Sequence, residues 1–203
     1  MHQEQRHHAG HVALAELEEV RNEGDDFDRG DESARTSSAP AVPAGLSAAD
    51  ARILGMPLCD YFSAADDQGA VAVLQTPGGP GQADLDVVFL ENIDPVVAIA
   101  RLEAIMTGCS FEEAGERPRS GELLSDPERD GAFVVSVTDT LTAALASATQ
   151  DDLVRFAEPW SMTDELQQIG ISVEVAAGVL EALAGLAQRA QVSDRRLYCW
   201  WAL

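Results

Sequence analysis

Hydrophobic residues recur with clear structural periods only beyond about residue 56. Before that, Val12, Leu14, Leu17 and Val20 support about two helical turns, broken at Asn22-Glu23-Gly24-Asp25-Asp26; a helix that short is marginal in water. Thr36 to Pro43 reads as a linker with too little apolar surface to pack, and Ser47 is placed to cap a brief helix over 48–54. Residues 1–55 are therefore expected to form a disordered acidic tail, for which Met56 offers an alternative start, and residues 56–203 a single globular domain.

Within that domain the pattern alternates between strand and helix. Leu58 to Phe62 reads as a short strand, and Asp66-Asp67 as the acidic start of a helix carrying Ala70, Val71, Val73 and Leu74. Thr76 to Gly81 ends it in an exposed loop. Leu85-Asp86-Val87-Val88-Phe89-Leu90 is apolar on both faces apart from Asp86, the pattern of an interior strand. Asp94-Pro95 then supplies an N-cap and a first-turn proline, and Gly108 a C-terminal stop, for a helix in which only Arg101 and Glu103 are clearly polar. Ser110-Phe111-Glu112-Glu113 has capping-box spacing for a further short helix, and residues 115–131 read as a long surface loop.

Ala132 to Val137 is a second good strand, and Thr138 caps a helix with Leu141, Ala144 and Leu145 inward. Thr149 starts another, with Leu153, Val154 and Phe156 inward and Pro159 as its stop; a short helix through Leu166 and Ile169 ends at Gly170. The longest helix spans Val173 to Gln191, capped by Ser172, with Ala176, Val179, Leu180, Leu183, Leu186, Ala187 and Ala190 on one face. Gly178 and Gly185 in that helix each cost about 1 kcal/mol relative to alanine, explained either by an element passing close or by neutral drift. The final run, Arg196 to Leu203, alternates Leu197, Cys199 and Trp201 against Tyr198 and Trp200, so a strand there locks the C-terminus into the sheet. The expected class is α+β, or α/β if the recurring strand-helix-strand order makes parallel pairs: several helices on a small sheet of three to five strands.

Composition narrows the chemistry. All four histidines (His2, His7, His8, His11) lie in the first eleven residues and there is no lysine, which removes from the domain the commonest general base, the usual zinc ligand and the phosphate-binding and Schiff-base lysines. Cys59, Cys109 and Cys199 are odd in number and widely spaced, suggesting neither a disulfide framework nor a zinc site and fitting a reducing cytoplasm. No stretch is apolar enough to span a membrane or serve as a secretory leader. No cofactor is expected.

The formal net charge is −22, with eleven acids and five arginines in residues 1–55 and twenty-four acids and eight arginines beyond. Such a field repels nucleic acid and anionic lipid, attracts basic proteins, and also simply maintains solubility. Local motifs add little. Arg29-Gly30-Asp31 and Asp26-Phe27-Asp28 lie in the tail and lack the context an integrin or calcium site needs. Pro77-Gly78-Gly79-Pro80-Gly81 lacks the Gly-Lys-Ser/Thr ending of a phosphate loop.

Asp86 is the most interesting carboxylate, since it interrupts an apolar strand; it is either a satisfied structural group or the centre of carboxylate chemistry. Cys109, just before the Ser110 cap, is the least unsuited of the thiols to act as a nucleophile. Trp160, Trp200 and Trp201 are core aromatics or a sticky binding surface. Two functional expectations follow. The first is an acidic binding protein, of the inhibitor or immunity type, that docks a basic protein partner. The second is a carboxylate-dependent or metal-assisted enzyme of small substrates centred on Asp86.

Ile93-Asp94-Pro95 through Met106-Thr107-Gly108, Gly131 to Val135, the helix from Thr138 to Ala148 followed by Asp152-Leu153, and the long helix before the last strand together resemble the YfbM-like family of small bacterial proteins of unknown function, over residues 58–203. The stretch from Asp60-Tyr61-Phe62 to the final Leu197-Tyr198-Cys199-Trp200 strand is also similar to uncharacterised small acidic actinobacterial proteins. Neither resemblance implies an assigned activity.

Overall fold

A computed structural model of the chain describes residues 58–128 and 131–202; the helices read at 12–20 and 48–54 and the tail motifs lie outside the described residues. Strand β1 spans Leu58–Ala64, helix α1 Asp67–Ala72, β2 Val87–Glu91, α2 Val97–Thr107, α3 Phe111–Gly115, β3 Ala132–Ser136, α4 Asp139–Ser147, α5 Gln150–Ser161, α6 Asp164–Gln168, α7 Val173–Val192 and β4 Arg196–Ala202. The four strands form one sheet in the order β2-β1-β4-β3. Every pairing is antiparallel, so the parallel pairs left open by the sequence do not form and the class is α+β.

Strand β4 takes a central place, and its alternation holds. Leu197 and Cys199 join Cys59, Tyr61 and the apolar faces of the larger helices, while Tyr198, Trp200 and Ala202 join Leu58, Phe62, Val134 and the α1 side. The sheet is thus covered by a thick helical layer on one face and by α1 and loops on the other. Helix α7 contributes Ala176, Leu180, Leu183, Leu186, Ala187 and Ala190, all buried, at the predicted spacing.

Helix starts are where local chemistry decides most. The side chains of Asp66, Ser110, Thr138, Thr149 and Ser172 each accept a first-turn backbone N–H, satisfying donors that a helix leaves open. Asp94 does the same from slightly further out, accepting from Val96 and Val97 N–H at 2.9 and 2.5 Å, so α2 begins two residues after Pro95 rather than at it. Gly108 ends α2 in the left-handed region, φ 69°.

Four expectations are corrected. Strand β2 is an edge strand, not an interior one: Val88 and Leu90 face the helices, but Phe89 on the other face is 64% exposed. Pro159 does not stop α5, which continues to Ser161. Its ring forfeits only the hydrogen bond to the Arg155 carbonyl, and both residues are exposed, so water can serve that oxygen. Val154, one position off the Leu153–Ala157–Trp160 stripe, is 56% exposed rather than inward. The segment after α3 is also more than a surface loop. Leu124 N–H donates to the Val134 carbonyl and Ser136 N–H to that of Glu122, so the loop shields the open edge of β3.

Candidate functional site

Asp86 sits just before β2, where its carbonyl accepts the Ser63 N–H at 3.2 Å. This places its side chain beside the last turn of α7, and Arg189 grips it through Nε at 2.6 Å and Nη2 at 2.9 Å. That hydrogen-bonded pairing raises the guanidinium pKa of Arg189 further above its ordinary value. The two residues border a shallow open groove of about 430 Å³, completed by Ser63, Gln188, Val192, Ser193 and Arg195. Among these, Asp86 is the single carboxylate. Gly185 lies one turn before Arg189: a Cβ there would lie 3.1 Å from Arg189 Nη1, whereas one at Gly178 would meet nothing within 4 Å. No other element crosses either glycine.

The three tryptophans do not form a surface with Asp86. Trp160 is fully buried, and its indole N–H donates to the Ala98 carbonyl at 3.0 Å, fastening α5 to α2. Trp200 is 4% exposed on the opposite face of the sheet. There it lies under the glycine loop: Gly79, at φ 78°, would carry a Cβ 3.0 Å from the indole ring. That loop is packing for Trp200 rather than a ligand cradle. Trp201 alone keeps partial exposure, tilted against Phe133 at 6.5 Å. Since Asp86 lies level with Leu197, Trp201 is about 13 Å further along β4. As a binding set, Asp86, Trp160, Trp200 and Trp201 are not brought together.

Burial instead singles out a carboxylate that the sequence reading passed over. Glu103, on α2, is 1% exposed. Its Oε1 accepts from Arg117 Nη1 at 2.6 Å and its Oε2 from the Thr138 hydroxyl at 2.7 Å. Thr138 accepts in turn from the Leu141 N–H, so one hydroxyl joins α2 to the start of α4. The Thr107 hydroxyl donates to the Glu103 carbonyl and accepts from Arg117 at 3.3 Å. Cys109 Sγ stands 3.2 Å from that same hydroxyl, half-buried. The signal in the sequence was a lone acid in an otherwise apolar helix. Asp60 is likewise buried, in β1 between Phe89 and Trp200 in register.

A third cluster joins the start of α1, the loop after α3 and β4 at one end of the sheet. Arg119, held at φ 69°, reaches Asp67 at 2.7 Å and stacks 5.1 Å from the ring of Tyr198, whose hydroxyl also donates to Asp67 at 2.9 Å. Desolvation opposes ionisation of Asp67, but the Arg119 and Tyr198 hydrogen bonds outweigh it and hold the carboxyl below its usual range. Burial, reinforced by the bond to Asp67, pushes the Tyr198 phenol up to about 12.

The paired acids at helix starts behave as capping groups. Bonds from the Thr149 hydroxyl and amide hold Asp152 below the ordinary carboxylate range, and first-turn backbone N–H groups do the same for Glu112 and Glu174. Each therefore carries its full charge at neutral pH. Among the described residues no group of three or more His, Cys, Asp or Glu side chains is arranged to hold a metal ion, and no helix is long and apolar enough to cross a membrane. No family model, curated protein or solved structure matches the chain.

Proposed function

We propose that this protein is a binding module that presents an acidic surface to a basic protein partner, in the manner of an inhibitor or immunity protein. The observation that carries this reading is how the arginines are used. Six of the seven described arginines face a carboxylate within the domain: Arg101–Glu165, Arg117–Glu103, Arg119–Asp67, Arg155–Asp152, Arg189–Asp86 and Arg196–Asp139. The cations are spent internally. Carboxylates such as Glu112, Glu116, Glu122, Asp151, Glu158 and Glu181 remain exposed, and they generate a field that accelerates association with an oppositely charged surface.

The test is capture from native lysate at low and high salt, identification by mass spectrometry, and reconstitution with the purified partner. The expected result is a basic protein whose affinity falls as ionic strength rises, because exposed charges are screened beyond roughly 10 Å at 0.1 M salt. Recovery of a small metabolite and no basic protein would contradict the reading.

A further inference from the structure

Large apolar side chains are exposed at six places among the described residues, and four of them, Val154, Met162, Val173 and Val175, fall between residues 154 and 175. Between residues 150 and 181 there are seven acids and one arginine, Arg155, which is itself bound to Asp152 at 2.7 Å. Apolar exposure and negative charge thus coincide on one stretch of the chain.

Helical geometry places this stretch on two adjacent helices. The Gln150 side chain, at the start of α5, donates to Glu181 in the third turn of α7, while the end of α5 leads through α6 back to the start of α7. The two helices therefore run antiparallel. Residues three and four apart share a flank, so Val154 and Glu158 follow Gln150 along α5 while Gly178 and Glu174 follow Glu181 back along α7. Nothing lies within 4 Å of where a Gly178 side chain would be, so α7 is open to solvent there, with exposed Val175 three residues before the glycine. Asp151, Glu158, Glu174 and Glu181, all exposed, lie on the same two helices.

We infer that this outer face of α5 and α7 is where the basic partner docks, and that the docking element is a cationic amphipathic helix; the inference rests on the binding-module reading above. Charge complementarity sets the sign of the partner, since the two helices offer carboxylates. The valines set its amphipathicity, because a uniformly charged segment would leave them wet while an apolar stripe would cover them. Two helix faces expose no unpaired backbone ladder, so an added strand has nothing to pair with, whereas an amphipathic helix can lay its apolar stripe over the valines.

The experiment uses the full chain, labelled with ¹⁵N, and two synthetic Leu/Lys peptides of identical composition, one amphipathic as a helix and one scrambled. The expected result is that the amphipathic peptide binds more tightly at low salt, with amide shifts centred on α5 and the first half of α7. Val154→Ser with Val175→Ser should weaken that peptide roughly tenfold and leave the scrambled one unchanged, while unaltered thermal melting confirms that the exposed substitutions spare the fold. Salt-sensitive binding with shifts centred elsewhere, for example on Glu112, Glu116 and Glu122, or equal affinity for both peptides, would overturn this inference and leave the broader reading intact. Failure of both peptides to bind at low salt would remove both.

Discussion

Two arginine–carboxylate pairs in this molecule share almost the same closest distance and differ in nearly everything else. Arg117 and Glu103 meet at 2.6 Å with the acid 1% exposed; Arg189 and Asp86 also meet at 2.6 Å, with side chains 56% and 34% exposed. Glu103 could be taken out of water only because Arg117 and Thr138 satisfy both its oxygens. Removing one partner would strand a charge at high cost. Asp86 keeps water as an alternative partner, so its well-formed bidentate contact carries little net energy. Burial, not geometry, decides which pair holds the fold together.

The sharpest way to break the comparison is Arg117→Ala, which strands the Glu103 carboxylate and should cost about 3–5 kcal/mol in urea unfolding; a loss below about 1 kcal/mol would put it level with an exposed pair. The double change Glu103→Leu with Arg117→Leu should recover much of the loss, since a well-packed apolar pair needs no counter-charge.

The Asp67–Arg119–Tyr198 cluster is intermediate, with the Asp67 side chain 48% and the Arg119 side chain 11% exposed. Tyr198→Phe should cost about 1 kcal/mol for the lost hydrogen bond. It should also alter the alkaline limb. Because the phenol is raised to about 12 in the fold, its contribution is complete below the unfolded value near 10 and is lost as pH rises toward 12. Asp67 works in the opposite direction: its lowered pKa contributes stability above about 3.8 that disappears as pH falls through the folded value. Denaturation midpoints across pH for wild type and Tyr198→Phe check both limbs.

Smaller effects sharpen the exposed side. Gly178→Ala should stabilise by about 0.5–1 kcal/mol, the helix-propensity gain at an open position. Gly185→Ala should fall short of this, because its methyl would crowd Arg189 Nη1 at 3.1 Å, and the shortfall should shrink in an Asp86→Asn background. Asp86→Asn alone should change stability by about 0–1 kcal/mol, measured by the same unfolding curves.

What the sequence revealed follows the same division between local and distant causes. The helix starts at Asp66, Ser110, Thr138, Thr149 and Ser172 were legible because the acceptor and the donors it serves lie within three residues. The facing of β4 was legible because period two needs no partner. Strand order and direction depend on residues more than a hundred positions apart, as in the pairing of Tyr61 with Cys199, and so the edge position of β2 was hidden. Continuation of α5 past Pro159 depended on which carbonyl could turn to water. Glu103 was visible only as an odd residue in an apolar helix; that Arg117 and Thr138 would converge on it required the fold. Trp160 and Trp200 were equally ambiguous, since an aromatic in a strand or after a helix stop looks alike whether covered or bare. Val154 was read as inward and Val175 escaped notice because the apolar stripe beside each supplied a sufficient reason for the helix.

The most direct measurement is the affinity for the purified basic partner as a function of ionic strength, for wild type, for Glu158→Gln/Glu174→Gln/Glu181→Gln and for Asp86→Asn. The dissociation constant should rise steeply with salt in wild type; the triple change should weaken binding and flatten that slope, and Asp86→Asn should leave both untouched. An affinity indifferent to salt, or one abolished by Asp86→Asn alone, would contradict an acidic docking surface and return attention to the groove.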